Sequence, residues 1–146
     1  MIAAALKSLV PESEWSIPGD DYGSIVWHVE PVRRPTQEEV TGEINRLAQL
    51  AMADAVKKEA QRRIIVLTGK ATLQDCMIRQ FNALMRAGQL TDKRVNVGAL
   101  TAEEETEAAR LRALADQIKA IRAASDAIEA MSPIPADYAA DSRWPG

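Results

Sequence analysis

The stretch "TAEEETEAARLRALADQIKAIRAASDAIEAM", residues 101–131, decides the fold class. Thr101 and Glu104 form a capping box, in which each side chain accepts a hydrogen bond from the other residue's backbone N–H. The acidic run that follows suits the positive end of a helix dipole. Behind it Leu111, Leu114, Ile118, Ile121, Ser125 and Ile128 alternate at spacings of three and four, the pattern of a coiled-coil seam. The run is short for a coil and Ser125 weakens it. Two readings therefore stand: a face packed inside a bundle, or a homo-oligomer formed through residues 111–128.

Working back along the chain, "PTQEEV" repeats the capping signal with Thr36 and Glu39. Val40, Ile44, Leu47, Ala51 and Ala55 then recur at helical spacing, which predicts a helix over about 36–63. The following "IIVLTGK" reads as a last helical turn or as a short extended segment, interrupted by Thr68 and Gly69. A further helix is predicted over 72–87, with Leu73, Met77, Phe81 and Leu84 inward and Gly88 as its C-terminal stop. "QLTDKRVNVGAL" reads as a loop with extended residues around Val95 and Val97.

At the N-terminus, residues 2–9 suit a short helix with Ile2, Leu6 and Leu9 on one side, closed by Pro11. Ile25, Trp27 and Val29 alternate with Val26 and His28, the period of a strand with one buried face, and Trp15 and Tyr22 are placed to cover it. At the other end "SPIPADYAADSRWPG" cannot continue a helix. Its aromatic residues either fold back onto the helices or lie in a partner's groove. The fold expected is mainly α. A small α+β head spans 1–34, amphipathic helices over 35–131 form a helical bundle or short coiled coil, and an extended Pro/aromatic tail spans 132–146.

Composition narrows the function classes. Of 146 residues 47% are hydrophobic, yet only one is Phe, two are Tyr and three are Trp, and alanine favours helix while burying little area. Such a bundle gains stability from association. The net charge of -3 is spread along the chain, which argues against nucleic acid as the main ligand because phosphate recognition needs a concentrated basic face. Cys76 is the one cysteine, excluding an internal disulfide or a multi-cysteine zinc site, and it reads as a small core residue. The opening apolar run is broken at Lys7 and lacks a small-residue cleavage site, and no stretch is long enough to span a bilayer. A soluble chain of the cytoplasm is expected.

No motif carries strong chemistry, and no catalytic, cofactor or metal residue is assigned. "TGKAT" at 68–72 resembles the end of a phosphate-binding loop, but the glycine required upstream is replaced by Ile64. His28 has only Glu30 on its strand face and reads as a half-exposed strand histidine. Asp20 and Asp21 suit a turn and Glu103–Glu105 a helix start, without the alternating oxygens of a calcium loop. Arg33, Arg34 and "KKEAQRR" at 57–63 are diluted by acidic neighbours.

The first 60 or so residues resemble small phage and prophage tail proteins described as tail fibre assembly proteins, or tail assembly chaperones. The pattern "A..L.P..EWS..GDDY..I.W" is carried by Ala5, Leu9, Pro11, Glu14, Trp15, Ser16, Gly19, Asp20, Asp21, Tyr22, Ile25 and Trp27. "PT..E...EI..L" follows through Pro35, Thr36, Glu39, Glu43, Ile44 and Leu47. Residues 64–146 depart from the commonest chaperone versions and look like the helical C-terminal region of other tail-associated proteins.

The resemblance implies a non-enzymatic protein that binds other phage tail or tail-fibre proteins, without a cofactor. It implies the host cytoplasm during assembly and, for a retained component, the virion tail. Partner binding is assigned to Trp15, Tyr22 and Trp27 in the head, to Leu111, Leu114, Ile118 and Ile121 in the seam, and to Tyr138 and Trp144 in the tail. Each also has a core reading. The alternative is a small adaptor or regulator contacting nucleic acid through residues 57–63 and 93–94.

Overall fold

A computed structural model describes residues 1–19 and 21–145; Asp20, part of the acidic pair and of the tail-protein pattern, lies outside them. The described chain is mainly helical, with α1 (Ile2–Leu9), β1 (Glu14–Ser16), β2 (Val26–Val29), α2 (Gln37–Leu67), α3 (Leu73–Asn96) and α4 (Ala102–Glu129). Two compact units share it, residues 1–53 and 54–146. The first half of α2 falls in the first of these units.

In the head, β1 and β2 pair antiparallel with Trp15 opposite Trp27, a cross-strand aromatic pair of the kind that stabilises a two-stranded sheet. Ala5, Leu6 and Val40 form the buried centre, and Trp15, Tyr22, Ile25, Trp27 and Leu47 pack around it. Leu9 and Val29 are exposed, contrary to the expected faces. A bulge beside Trp15 breaks the alternation in the strand pair, and Val10 packs on the core where Leu9 was expected.

The joint to α2 is pinned on several sides. The Tyr22 hydroxyl donates to the Pro35 carbonyl, and Pro35 is buried. Arg34 pairs with Glu30 and lies 5.9 Å from the Trp27 ring centroid, while Arg33 reaches Glu39. The capping box closes as read, with Thr36 N to Glu39 Oε2 at 2.7 Å and Glu39 N to Thr36 Oγ1 at 3.2 Å.

α2 continues through "IIVL", so the helical alternative holds there and the end near Arg63 was too early. Within the second unit it buries Val56, Ala60 and Ile64, one residue per turn, and Thr68, just past its end, is buried too. Ala51 lies between the two buried runs and is exposed. Gly69, at φ 64, stops the helix. Its N–H reaches the Val66 carbonyl at 2.9 Å, and Lys70 N–H reaches Ile65 at 3.2 Å. This is a Schellman closure that requires the left-handed conformation glycine adopts freely. "TGK" is a helix stop.

α3 departs most from expectation. Capped by Thr72, whose Oγ1 accepts from Asp75 N at 3.1 Å, it runs through Gly88 to Asn96. Gly88 is no stop, and residues 89–96 are helix rather than loop. The turn to α4 is held by ion pairs on both sides: Lys93 with Glu104 at 2.7 Å, Arg94 with Glu105, and Arg86 with Glu107 at 2.7 Å. α4 opens with its capping box in place and buries Ile118, Ile121, Ser125 and Ile128, with Leu111 and Leu114 half-buried. Ser125 is satisfied there by donating to Glu129 at 2.9 Å.

Candidate functional site

α3 has two faces, and their roles are the reverse of those the sequence suggested. Cys76, Gln80, Ala83, Ala87 and Leu90 recur at spacings of four and three and are buried or half-buried, with Arg86 and Lys93, which pair with α4, half-buried beside them. The former residues are mostly small, so they let α3 lie close to α4. The bulky set points into solvent, with Met77 61%, Phe81 62% and Leu84 69% exposed. Leu73, Ile78 and Met85 extend the same stripe and are also exposed. The expectation that Leu73, Met77, Phe81 and Leu84 face inward is therefore corrected. Periodicity alone could not choose between two stripes with the same helical spacing, and hydrophobicity favoured the bulkier one.

Beside the stripe runs an open groove of about 440 Å³, floored by Leu111, Leu114 and Ile118 and bordered by Phe81, Leu84 and Arg122. A solvated helix ordinarily turns such residues into the core. Exposed apolar residues in such a run make this face a candidate interaction surface.

The residues assigned to binding from sequence are distributed differently. Trp15, Tyr22 and Trp27 come together, half-buried, around the centre of the head. Ile118 and Ile121 are buried inside the second unit, whereas Leu111 and Leu114 are half-buried and open to the groove. The tail folds back, which resolves its two readings in favour of the chain's own helices. Trp144 is 6% exposed, and its Nε1 donates to the Tyr138 carbonyl at 2.7 Å. Arg63 lies 5.0 Å from the Trp144 ring centroid and donates to the Ala139 carbonyl at 3.0 Å and to Asp141 at 2.7 Å. A short 3-10 turn at Asp141–Arg143 replaces the extended form expected.

Most of the basic residues singled out in the sequence are paired locally. Glu59 accepts from both Arg62 and Arg63 at 2.7 Å, and Lys57 stands 3.5 Å from Glu129. The Arg62 and Arg63 guanidiniums hold the Glu59 carboxyl below its ordinary value. Lys93 and Arg94 are engaged by α4 carboxylates as described above. His28 is exposed and bonded to Ser16 Oγ at 3.0 Å. Cys76 is buried, with the Gln80 amide 3.1 Å away.

Among the described residues no group of His, Cys, Asp and Glu is arranged to hold a metal ion, and no helix is long and apolar enough to cross a membrane. No protein-family model, curated protein or solved structure matches the chain.

Proposed function

We propose that this chain is a non-enzymatic phage tail protein that binds other tail or tail-fibre proteins, as a minor structural component or an assembly factor. Two things support the reading. The pattern of residues 5–47 resembles tail fibre assembly proteins, and the second unit leaves Met77, Phe81 and Leu84 in water, a surface that another polypeptide, foreign or a second copy, would cover. The second observation carries the mechanism. Burying apolar side chains of this size stabilises by about 1.5–3 kcal/mol each when complete, so a face left uncovered by its own fold is a standing drive to associate.

The test is quantitative detection of the chain in purified particles, together with the state of the fibres when its gene is deleted. A fixed ratio to the tail fibre makes it a component. Absence from particles with misassembled fibres on deletion makes it an assembly factor. Absence with normal fibres would falsify the reading.

A further inference from the structure

Resting on the reading of this surface as a docking face, we infer that its occupant is a second copy of the same chain, the two α3 helices meeting along residues 73–88. The size of the face is the first argument. Leu73, Met77, Ile78, Phe81, Leu84 and Met85 are between 44% and 69% exposed. Taking roughly 200 Å² for each fully exposed side chain, they leave on the order of 700 Å² of apolar surface in water. A specific dimer buries roughly 800 Å² on each partner, so one stripe covering its twin supplies much of that area, and the adjoining groove walls would supply the rest.

The second argument is spacing. Met77, Phe81, Leu84 and Gly88 follow one another at four, three and four residues, the rhythm that lets two helices interlock side chains along a shared seam. Gly88 sits at the end of that seam, in mid-helix, where a glycine costs helix stability. Nothing lies within 4 Å of the position a Cβ would take there. Its own fold does not need a glycine at that point; a closely approaching helix would. The groove floored by Leu111 and Leu114 is the hole into which the partner's Phe81 and Leu84 would insert.

Charge is the third argument. A two-fold interface brings each surface against itself, so a face carrying one sign of charge repels its copy. The positions flanking this seam are Ile78, Gln80, Met85 and Ala87, all uncharged. The rim beyond them carries both signs, with Lys57, Lys119 and Arg122 near Asp126 and Glu129. Lys119 and Arg122 edge the groove itself, and the carboxylates of the rim give them partners of opposite sign on a copy of the same chain.

Sedimentation equilibrium on the purified full chain tests this. The mass expected at tens of micromolar is twice the 16.0 kDa of one chain. Phe81→Glu with Leu84→Glu should return it to one chain with helicity by circular dichroism unchanged. Val66→Glu, equally exposed but off the stripe, should leave the dimer intact. Should the double glutamate variant lose helicity, Leu84→Ala with Met85→Ala reads the same face as at least about tenfold weaker association.

A wild-type mass of one chain, or a dimer indifferent to the stripe variants, overturns the inference. A solitary chain that still enters tail particles would sink the dimer and leave the proposed function standing. A dimer absent from particles whose fibres assemble normally without it would do the reverse.

Discussion

Glu43 and Arg63 show how single side chains hold their units together. Glu43 is 8% exposed, and hydrogen bonds from Arg46 and then Ser8 hold its carboxyl down at about 2. Glu39 is held at about 2 by Arg33 and then by the Thr36 backbone N–H. Both folded values lie below the ordinary 4.5, so their contribution to stability is full above that value and is lost as pH falls through the folded one. The melting temperature should accordingly drop between about pH 4.5 and pH 2, with Glu43→Gln flattening part of the drop. An unchanged slope in that variant would contradict the assignment. Arg63 does a different job, stacking on Trp144 while binding the backbone before it. Trp144→Ala should destabilise the chain in urea by about 3 kcal/mol; no loss would mean that the tail is not anchored on its own helices.

Helix starts were legible in the sequence because a capping box is a local contract: Thr36 with Glu39, and Thr101 with Glu104, need nothing from the rest of the chain. The seam of α4 was equally legible, since Leu111 to Ile128 forms the one apolar stripe on that helix and its packed reading holds from Ile118 onward. α3 was not legible, because glycine after a run of apolar residues reads as a stop and two stripes of equal period compete for the inside. What decided the matter was tertiary. The close approach of α3 and α4, locked by Arg86–Glu107 and Lys93–Glu104, admits Ala83 and Ala87 and excludes Phe81. Gly88→Ala separates the two accounts of that helix. In the dilute chain it should raise stability by about 0.5–1 kcal/mol, as expected inside a continuous helix. A glycine ending a helix in the left-handed conformation would instead make the alanine variant less stable, measured by thermal unfolding.

Taken whole, the chain places its Trp and Tyr residues where a small core needs them, around Leu6 and Val40 in the head and at Trp144 in the second unit, while its one Phe, Phe81, stands in solvent. It leaves its largest aliphatic and thioether set outside. That division explains why the aromatics looked like partner anchors in the sequence: they are rare and clustered, and rarity does not tell a core from an interface. It also explains why the exposed stripe was missed, since Met77, Phe81 and Leu84 have the composition of an interior.

Oxidative footprinting of the methionines, read by mass spectrometry across a dilution series, addresses the stripe directly. The account predicts that Met77 and Met85 oxidise readily in the dilute chain and become protected as concentration rises. Met131, exposed but off the stripe, should oxidise equally throughout. Protection of Met77 and Met85 already at high dilution, or oxidation indifferent to concentration, would contradict it.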